Sequence, residues 1–325
     1  MKSPINRILI IKPSSLGDVV HTLPAVASIR KANPKAEITW LINPEWAPVL
    51  RGNKSIDHVH IFPRGQLSGF GMPGSLLPWL RKTRELQPDA ALDFQGLLRS
   101  ALIGKISKAR EFYGMSDARE GARLFYDHVA KVDRHEHAVE RYLRLAESFG
   151  TEIERPLTFP LPSGDPMPRF NESIPYVLLH PFARGNRKSL SDATIESLCR
   201  ALAPGRVVLA GRTNRTFSVP ANCISLLNQT SILQLIWLIR AARFTVSVDS
   251  GPMHIAAAVS DRVVSIHTWS DPRKVGPYNP NAWVWKNREL TQVRDLPPTA
   301  KRQSKRSVTV EDAEQIAALV SPQLQ

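Results

Sequence analysis

RILIIKPSSLGDVVHTLPAVASIRKANPKAEITWLI, residues 7–42, is the stretch whose reading decides the fold. Residues 7–12 (RILIIK) are a short apolar run bounded by turn formers, which is how a strand covered on both faces reads. Residues 13–18 (PSSLGD) bring Pro, Ser, Gly and Asp together and predict a turn. Residues 19–32 predict a helix with Val20, Leu23, Ala27 and Ile29 on its apolar side. A second strand, EITWLI at 37–42, follows at once, so the segment is a βαβ unit with parallel strands and a right-handed crossover.

The same alternation extends outward. HVHIF (58–62) and AALDF (90–94) are strand candidates, and a helical pattern covers 97–106. Residues 155–173, RPLTFPLPSGDPMPRFNES, then carry five prolines, which neither a helix nor a central strand accepts readily. Beyond them the pattern restarts: PYVLLH (175–180), a helix at 191–202, RVVLAG (206–211), a helix near 230–242, FTVSVD (244–249), a helix from about 252, and RVVSIH (262–267). VEDAEQIAALV (310–320) makes a final helix with acidic residues in its first turn, where the helix dipole favours them. At 325 residues the chain exceeds the size at which single cores stop growing. The expectation is an α/β protein of two facing doubly wound domains, residues 1–160 and 174–310, with a linker at 161–173 and a C-terminal helix at 311–325. Ligands then belong in a cleft at the carboxyl ends of the strands.

Composition narrows the function classes. A hydrophobic fraction of 42% argues against long disordered stretches. The formal net charge of +14 calls for an anionic partner. The basic residues are scattered and no zinc-finger or RNP signature accompanies them, so the expectation is no nucleic acid and a peripheral contact with an anionic membrane surface. The opening MKSPINRILIIKPSS is unlike a signal peptide and no stretch approaches a membrane span, which predicts a cytoplasmic protein. Cys199 and Cys223 read as buried small hydrophobes.

Three constellations carry chemistry. In KPSSLGDVVHTLP, Gly17 and Asp18 stand where strand gives way to helix. Asp18 either caps the helix or takes a proton from an acceptor hydroxyl at the mouth of a cleft, with Ser14 and Ser15 as donors beside it. In FTVSVDSGPMHIAAAV (244–259), Asp249, Ser250 and Gly251 precede Pro252, with His254 in the first helical turn. Backbone N–H groups at such a helix start suit a diphosphate, and the bland alternative is a capped turn. In HPFARGNRKSLS (180–191), Arg184, Arg187 and Lys188 are either surface charge or phosphate ligands, with Lys188 first and Arg184 second. No metal set is expected: His135 and His137 lack i, i+4 spacing, and HExxH, CxxC, the phosphate loop of kinases and the GxSxG elbow are all missing. Transfer from a nucleotide-diphosphate donor without a metal or other cofactor remains.

The segments ILIIKPSSLGDVVHTLPA, LDFQGLLRSAL, ARLFYDHVAKVDRHEHAVER and VSVDSGPMHIAAAV resemble the ADP-heptose:lipopolysaccharide heptosyltransferases of glycosyltransferase family 9. LDFQGLLRS and HAVER resemble the type I branch most. The resemblance implies a GT-B fold and inverting transfer of L-glycero-D-manno-heptose from an ADP-heptose donor to Kdo of a Kdo-lipid A acceptor, at the cytoplasmic face of the inner membrane. It implies Asp18 as base, Lys188 on the donor phosphates, Asp249 on the donor sugar hydroxyls, and Ser250, Gly251 and His254 in the diphosphate turn. Arg119 and His137 fall near acceptor positions. The chain departs from the family at KSLS, where the lysine is usually followed by an aromatic residue and a proline. It departs again at 64–80, which is apolar where the type I enzymes are basic. A relative with another acceptor or sugar, including a type II-like enzyme, and a non-catalytic binder of anionic glycans or nucleotide sugars are the alternatives.

Overall fold

The structure, a computed structural model, describes residues 4–63, 72–184, 188–297 and 307–324. Arg187, the stretch KRQSKR (301–306) and residues 64–71 of the apolar departure lie outside the described residues. The chain divides into two compact units, Met1–Pro162 and Ser163–Gln325.

In the first unit the opening segment forms β1 (Arg7–Ile11), α1 (Leu16–Ala32) and β2 (Glu37–Ile42), and β1 and β2 run parallel with Leu9 opposite Thr39. The helix starts three residues earlier than the apolar pattern predicted. Ser15 caps it, and the Asp18 carboxylate reaches back to the Ser15 N–H at 3.1 Å, so Leu16 and Gly17 already belong to the first turn. Then come β3 (His58–Ile61), α2 (Met72–Glu85), β4 (Ala90–Asp93), α3 (Leu98–Ile106), β5 (Glu111–Met115), β6 (His128–Ala130) and α4 (Ala138–Ser148). The strand order is β3-β2-β1-β4-β5-β6, parallel throughout. Ile8 to Ile11 are all buried, as strands covered on both faces must be. On one face Leu9, Ile11, Leu41, Phe112 and Tyr126 share a core. Gly114 lets Tyr126 lie flat on β5, because a Cβ there would stand 2.2 Å from its ring.

In the second unit the order is β7 (Tyr176–His180), α5 (Asp192–Ala201), β8 (Arg206–Gly211), β9 (Cys223–Leu227), α6 (Ile232–Ala241), β10 (Phe244–Val248), α7 (Gly251–Val259), β11 (Val263–Ile266), α8 (Pro272–Val275), β12 (Trp283–Lys286), β13 (Glu289–Gln292) and α9 (Val310–Val320). The sheet runs β13-β12-β11-β10-β7-β8-β9, and β13 alone is antiparallel, paired with β12. α9 packs on α5, and its Ala313, Ile316 and Val320 join the core of this unit.

No helix or strand spans the connection between α4 and β7. Its first part is tied to the first unit by Arg155 on Glu140 and Glu154 on Lys31. Its later part is tied to the second: the Asp165 N–H donates to the Leu233 carbonyl, and Phe170 sits edge-on to Tyr176. Among the described residues no helix is long and apolar enough to cross a membrane.

Candidate functional site

Each sheet has one place where neighbouring strands lead into connections that run opposite ways. In the first unit that place lies between β1 and β4, and in the second between β7 and β10. Crevices open at the carboxyl ends of such strand pairs. The candidate residues sort onto these two points.

At the first, Asp18 occupies the first turn of α1. Its Oδ2 accepts the Ser15 N–H and the Ser15 hydroxyl at 2.7 Å, and its Oδ1 accepts the Tyr142 hydroxyl at 3.2 Å. The capping reading is therefore present in the structure, and it accounts for Oδ2 but not for the bond from α4. The Ser14 N–H meets Gln95 Oε1 at 3.4 Å, and Gly17 is buried beneath the turn. Tyr142 in turn accepts from Lys12 Nζ at 2.9 Å, and the same ammonium donates to the Phe94 carbonyl at 2.8 Å. Lys12 is 2% exposed. Burial pushes its pKa down, and the Asp18 and Asp93 charges work against that. The Tyr142 phenol is driven well above its ordinary pKa by burial and by Asp18, so it stays a donor. Asp93, at the end of β4, accepts from the Gln95 and Gly96 N–H groups, from Ser100 Oγ and from the Tyr126 hydroxyl. Burial raises its pKa against those four bonds.

Arg119 and His137 separate from this cluster in kind. Arg119 is exposed, its backbone N–H bonded to the Gly96 carbonyl. His137 caps α4, its Nδ1 accepting the Val139 N–H at 3.2 Å, and its ring meets His21 edge-on with centroids 5.1 Å apart.

At the second point the β7–β10 pairing brings together residues 61 apart in sequence: Lys188 Nζ donates to Asp249 Oδ2 at 2.8 Å. The ammonium also lies 5.1 Å from the centre of the Trp269 ring. His254 Nε2 stands 4.0 Å from the other carboxylate oxygen. Burial opposes ionisation of Asp249, but His267, His254 and Lys188 outweigh it and hold the carboxyl down at about 2. His267 is itself kept near 4 by burial. His180, whose Nδ1 is 3.5 Å from Ser250 Oγ, is likewise lowered to about 4 by burial.

The turn from β10 into α7 holds the residues expected to meet a diphosphate. Ser250 is the N-cap of α7, Pro252 has no N–H, and the Met253 N–H turns back onto the Ser250 carbonyl at 3.1 Å. Gly251 is the first residue of the helix. Arg184 is exposed on the β7 loop. The side chains of Lys12, Tyr142, Asp93, Trp269 and His267 escaped the sequence reading. Lys12 and Asp93, charges closing the apolar strands β1 and β4, left a local signal. Among the described residues no three His, Cys, Asp or Glu side chains gather as a metal-holding group.

The profile of glycosyltransferase family 9 (heptosyltransferase) matches residues 79–303. The lipopolysaccharide heptosyltransferase 1 of Salmonella typhimurium is 29% identical over 304 residues, covering 85% of this chain and 92% of the relative. The Escherichia coli heptosyltransferase WaaC with ADP superposes with a TM-score of 0.75 at 22% identity, covering 97% of this chain and 99% of that one. The E. coli ADP-heptose lipopolysaccharide heptosyltransferase II does so with a TM-score of 0.74 at 21% identity, covering 98% and 100%. The two structural likenesses establish the fold, that of the GT-B glycosyltransferases.

Proposed function

The chain belongs to glycosyltransferase family 9, and from that premise we propose that it transfers L-glycero-D-manno-heptose from ADP-heptose to Kdo of Kdo-lipid A, with inversion and without a metal. The observation that carries this reading is the Lys188–Asp249 pair at the N-terminus of α7, a fixed cation and a helix end at one strand terminus. That is the charge pattern a departing diphosphate needs. The likeness to the Salmonella lipopolysaccharide heptosyltransferase 1 over 92% of that protein supports the type I reading.

In this mechanism the first unit binds the acceptor and the second the donor. Asp18 takes the proton of the acceptor hydroxyl as its oxygen attacks the anomeric carbon. The bond to the diphosphate breaks and ADP leaves with the electron pair. Lys188, the Gly251 N–H and the helix dipole of α7 meet the charge that builds there, with Arg184 of the β7 loop and Ser250 and His254 of the turn as further donor contacts and Asp249 accepting from sugar hydroxyls. Ser14, Ser15, Gly17, Arg119 and His137 border the acceptor.

The acceptor is anionic and lipid-linked, which gives the +14 charge a target. α3 and the segment 122–125 pack together and expose Leu98, Arg99, Leu102, Arg123 and Leu124, the last 88% exposed. Such a mixture of apolar and cationic side chains suits the cytoplasmic face of the inner membrane, and sedimentation with anionic but not neutral vesicles at low salt is the expected result. The main test is ADP release from ADP-heptose with purified Kdo-lipid A. Acceptor-dependent release that persists in EDTA supports the reading. Release only with an acceptor that already carries heptose replaces it with a type II-like enzyme, and binding without release replaces it with a non-catalytic protein.

A further inference from the structure

Lys12 and Tyr142 form a buried relay that ends on Asp18. Lys12 closes β1, Tyr142 comes from α4, 130 residues later, and Asp18 sits in α1. The two intermediates are 2% and 4% exposed. The Tyr142 oxygen accepts from the ammonium at 2.9 Å and its O–H donates to Asp18 Oδ1 at 3.2 Å. Lys12 Nζ also lies 4.8 Å from the centre of the Tyr142 ring and is anchored on the Phe94 carbonyl.

A buried ammonium is costly unless it is paired, and a neutral side chain would fill the end of β1 without that cost. The hydrogen bonds of Lys12 Nζ go to a carbonyl and a phenol. Its charge reaches Asp18 through one hydroxyl, which it polarises toward the carboxylate, and hydrogen bonds in such a chain strengthen one another. The other charged groups facing the relay are Asp93 from the end of β4, Arg141 from α4 and Asp117 from the loop after β5. Arg141 and Asp117 pair with each other. His21 of α1 packs edge-on against His137, the N-cap of α4. Asp93 is occupied by its four bonds, and the Lys12 ammonium reaches Asp18 through the Tyr142 hydroxyl.

We propose that Lys12 and Tyr142 are positioning residues for the base, with Lys12 acting through the Tyr142 hydroxyl to hold Asp18 Oδ1 in place and to favour its charged form until it takes the acceptor proton. This rests on Asp18 being the base.

Tyr142→Phe removes one oxygen and Lys12→Met removes the charge at similar length. Loss of a hydrogen bond to a charged group predicts a fall in kcat of about tenfold in Tyr142→Phe, with the KM for ADP-heptose unchanged within about twofold. The acidic limb of the pH profile of kcat/KM is expected to move up by about half a unit to one unit, because a carboxylate that loses a donor and a nearby cation protonates more readily. Lys12→Met should shift it the same way, and the double variant should be no worse than Tyr142→Phe alone, since Lys12 acts through the Tyr142 hydroxyl. Infrared difference spectra of each variant against its Asp18→Asn counterpart follow the carboxylate without turnover and should show the same upward shift. An unmoved titration in folded Tyr142→Phe, or additive losses in the double variant, overturns the relay. If Asp18→Asn itself keeps wild-type turnover, the assignment of the base has failed. If Asp18→Asn collapses while Tyr142→Phe keeps both rate and titration, the relay alone has failed.

Discussion

Asp18→Asn separates the two readings of Asp18, because they predict losses of different size in different measurements. As a cap, Asp18 contributes the bonds of its Oδ2 to Ser15 and a negative charge in the first turn of α1. Asparagine keeps one oxygen for Ser15 and loses the charge, so the capping term predicts a loss of about 1 kcal/mol, or a fall of about 2–4 °C in Tm for a unit of this size. As a base, Asp18 is irreplaceable by an amide, and turnover should fall by roughly 10²- to 10⁴-fold, about 3–5 kcal/mol in the barrier. Ser231→Ala supplies the comparison. Ser231 caps α6 in the same way, its Oγ accepting the Gln234 N–H at 3.1 Å and its own N–H meeting the Gln234 side chain at 2.9 Å. It should show the stability loss with wild-type turnover. The assay pairs ADP release at saturating donor and acceptor with thermal unfolding of the same preparations. A Tm that falls as stated while turnover drops less than tenfold would leave Asp18 a cap and refute it as the base.

Two further outcomes follow from the second unit. Lys188→Met should lower kcat/KM by roughly 10²-fold, since it removes one preorganised donor from the leaving group. It should also release the Asp249 carboxyl upward from about 2. Calorimetric titration with ADP should show weakened binding in parallel, and unchanged ADP affinity would count against the assignment. For His180 the folded pKa, about 4, lies below the ordinary 6.5, so the unfolded chain takes up its proton first as pH falls. The stability associated with neutral His180 is therefore fully present above about pH 6.5 and should shrink by about 3 kcal/mol on acidification to pH 4. Denaturant unfolding of His180→Gln should be less steep in pH over that interval, and an identical slope would show that the ring is not kept neutral by burial.

The layer architecture and the turns at the strand ends were legible along the chain. Continuous apolar runs such as ILII and VLL have no solvent face, so they must be central parallel strands, and parallel strands demand crossover helices. Pro, Gly, Ser and Asp at the strand ends then marked the turns that carry Asp18 and Asp249. Short or mixed strands, Glu111–Met115 and Cys223–Leu227 among them, escaped because their apolar residues do not stand out from local background. The start of α1 was misplaced because the pattern reads apolar periodicity, whereas the helix starts where Ser15 and Asp18 satisfy its first N–H groups.

Only the tertiary structure decided which residues meet. Lys188 and Asp249 are neighbours because β7 and β10 pair, and Asp18 is held by Tyr142 because α4 packs on α1. The partnership of Lys12 with Tyr142 spans 130 residues and leaves no trace in local composition, because burial of a charge is decided by what the rest of the chain places over it. Periodicity and turn chemistry act over a few residues and can be read along the chain. Hydrogen bonds across a core depend on strand order and helix packing, which bring together groups that no local pattern connects.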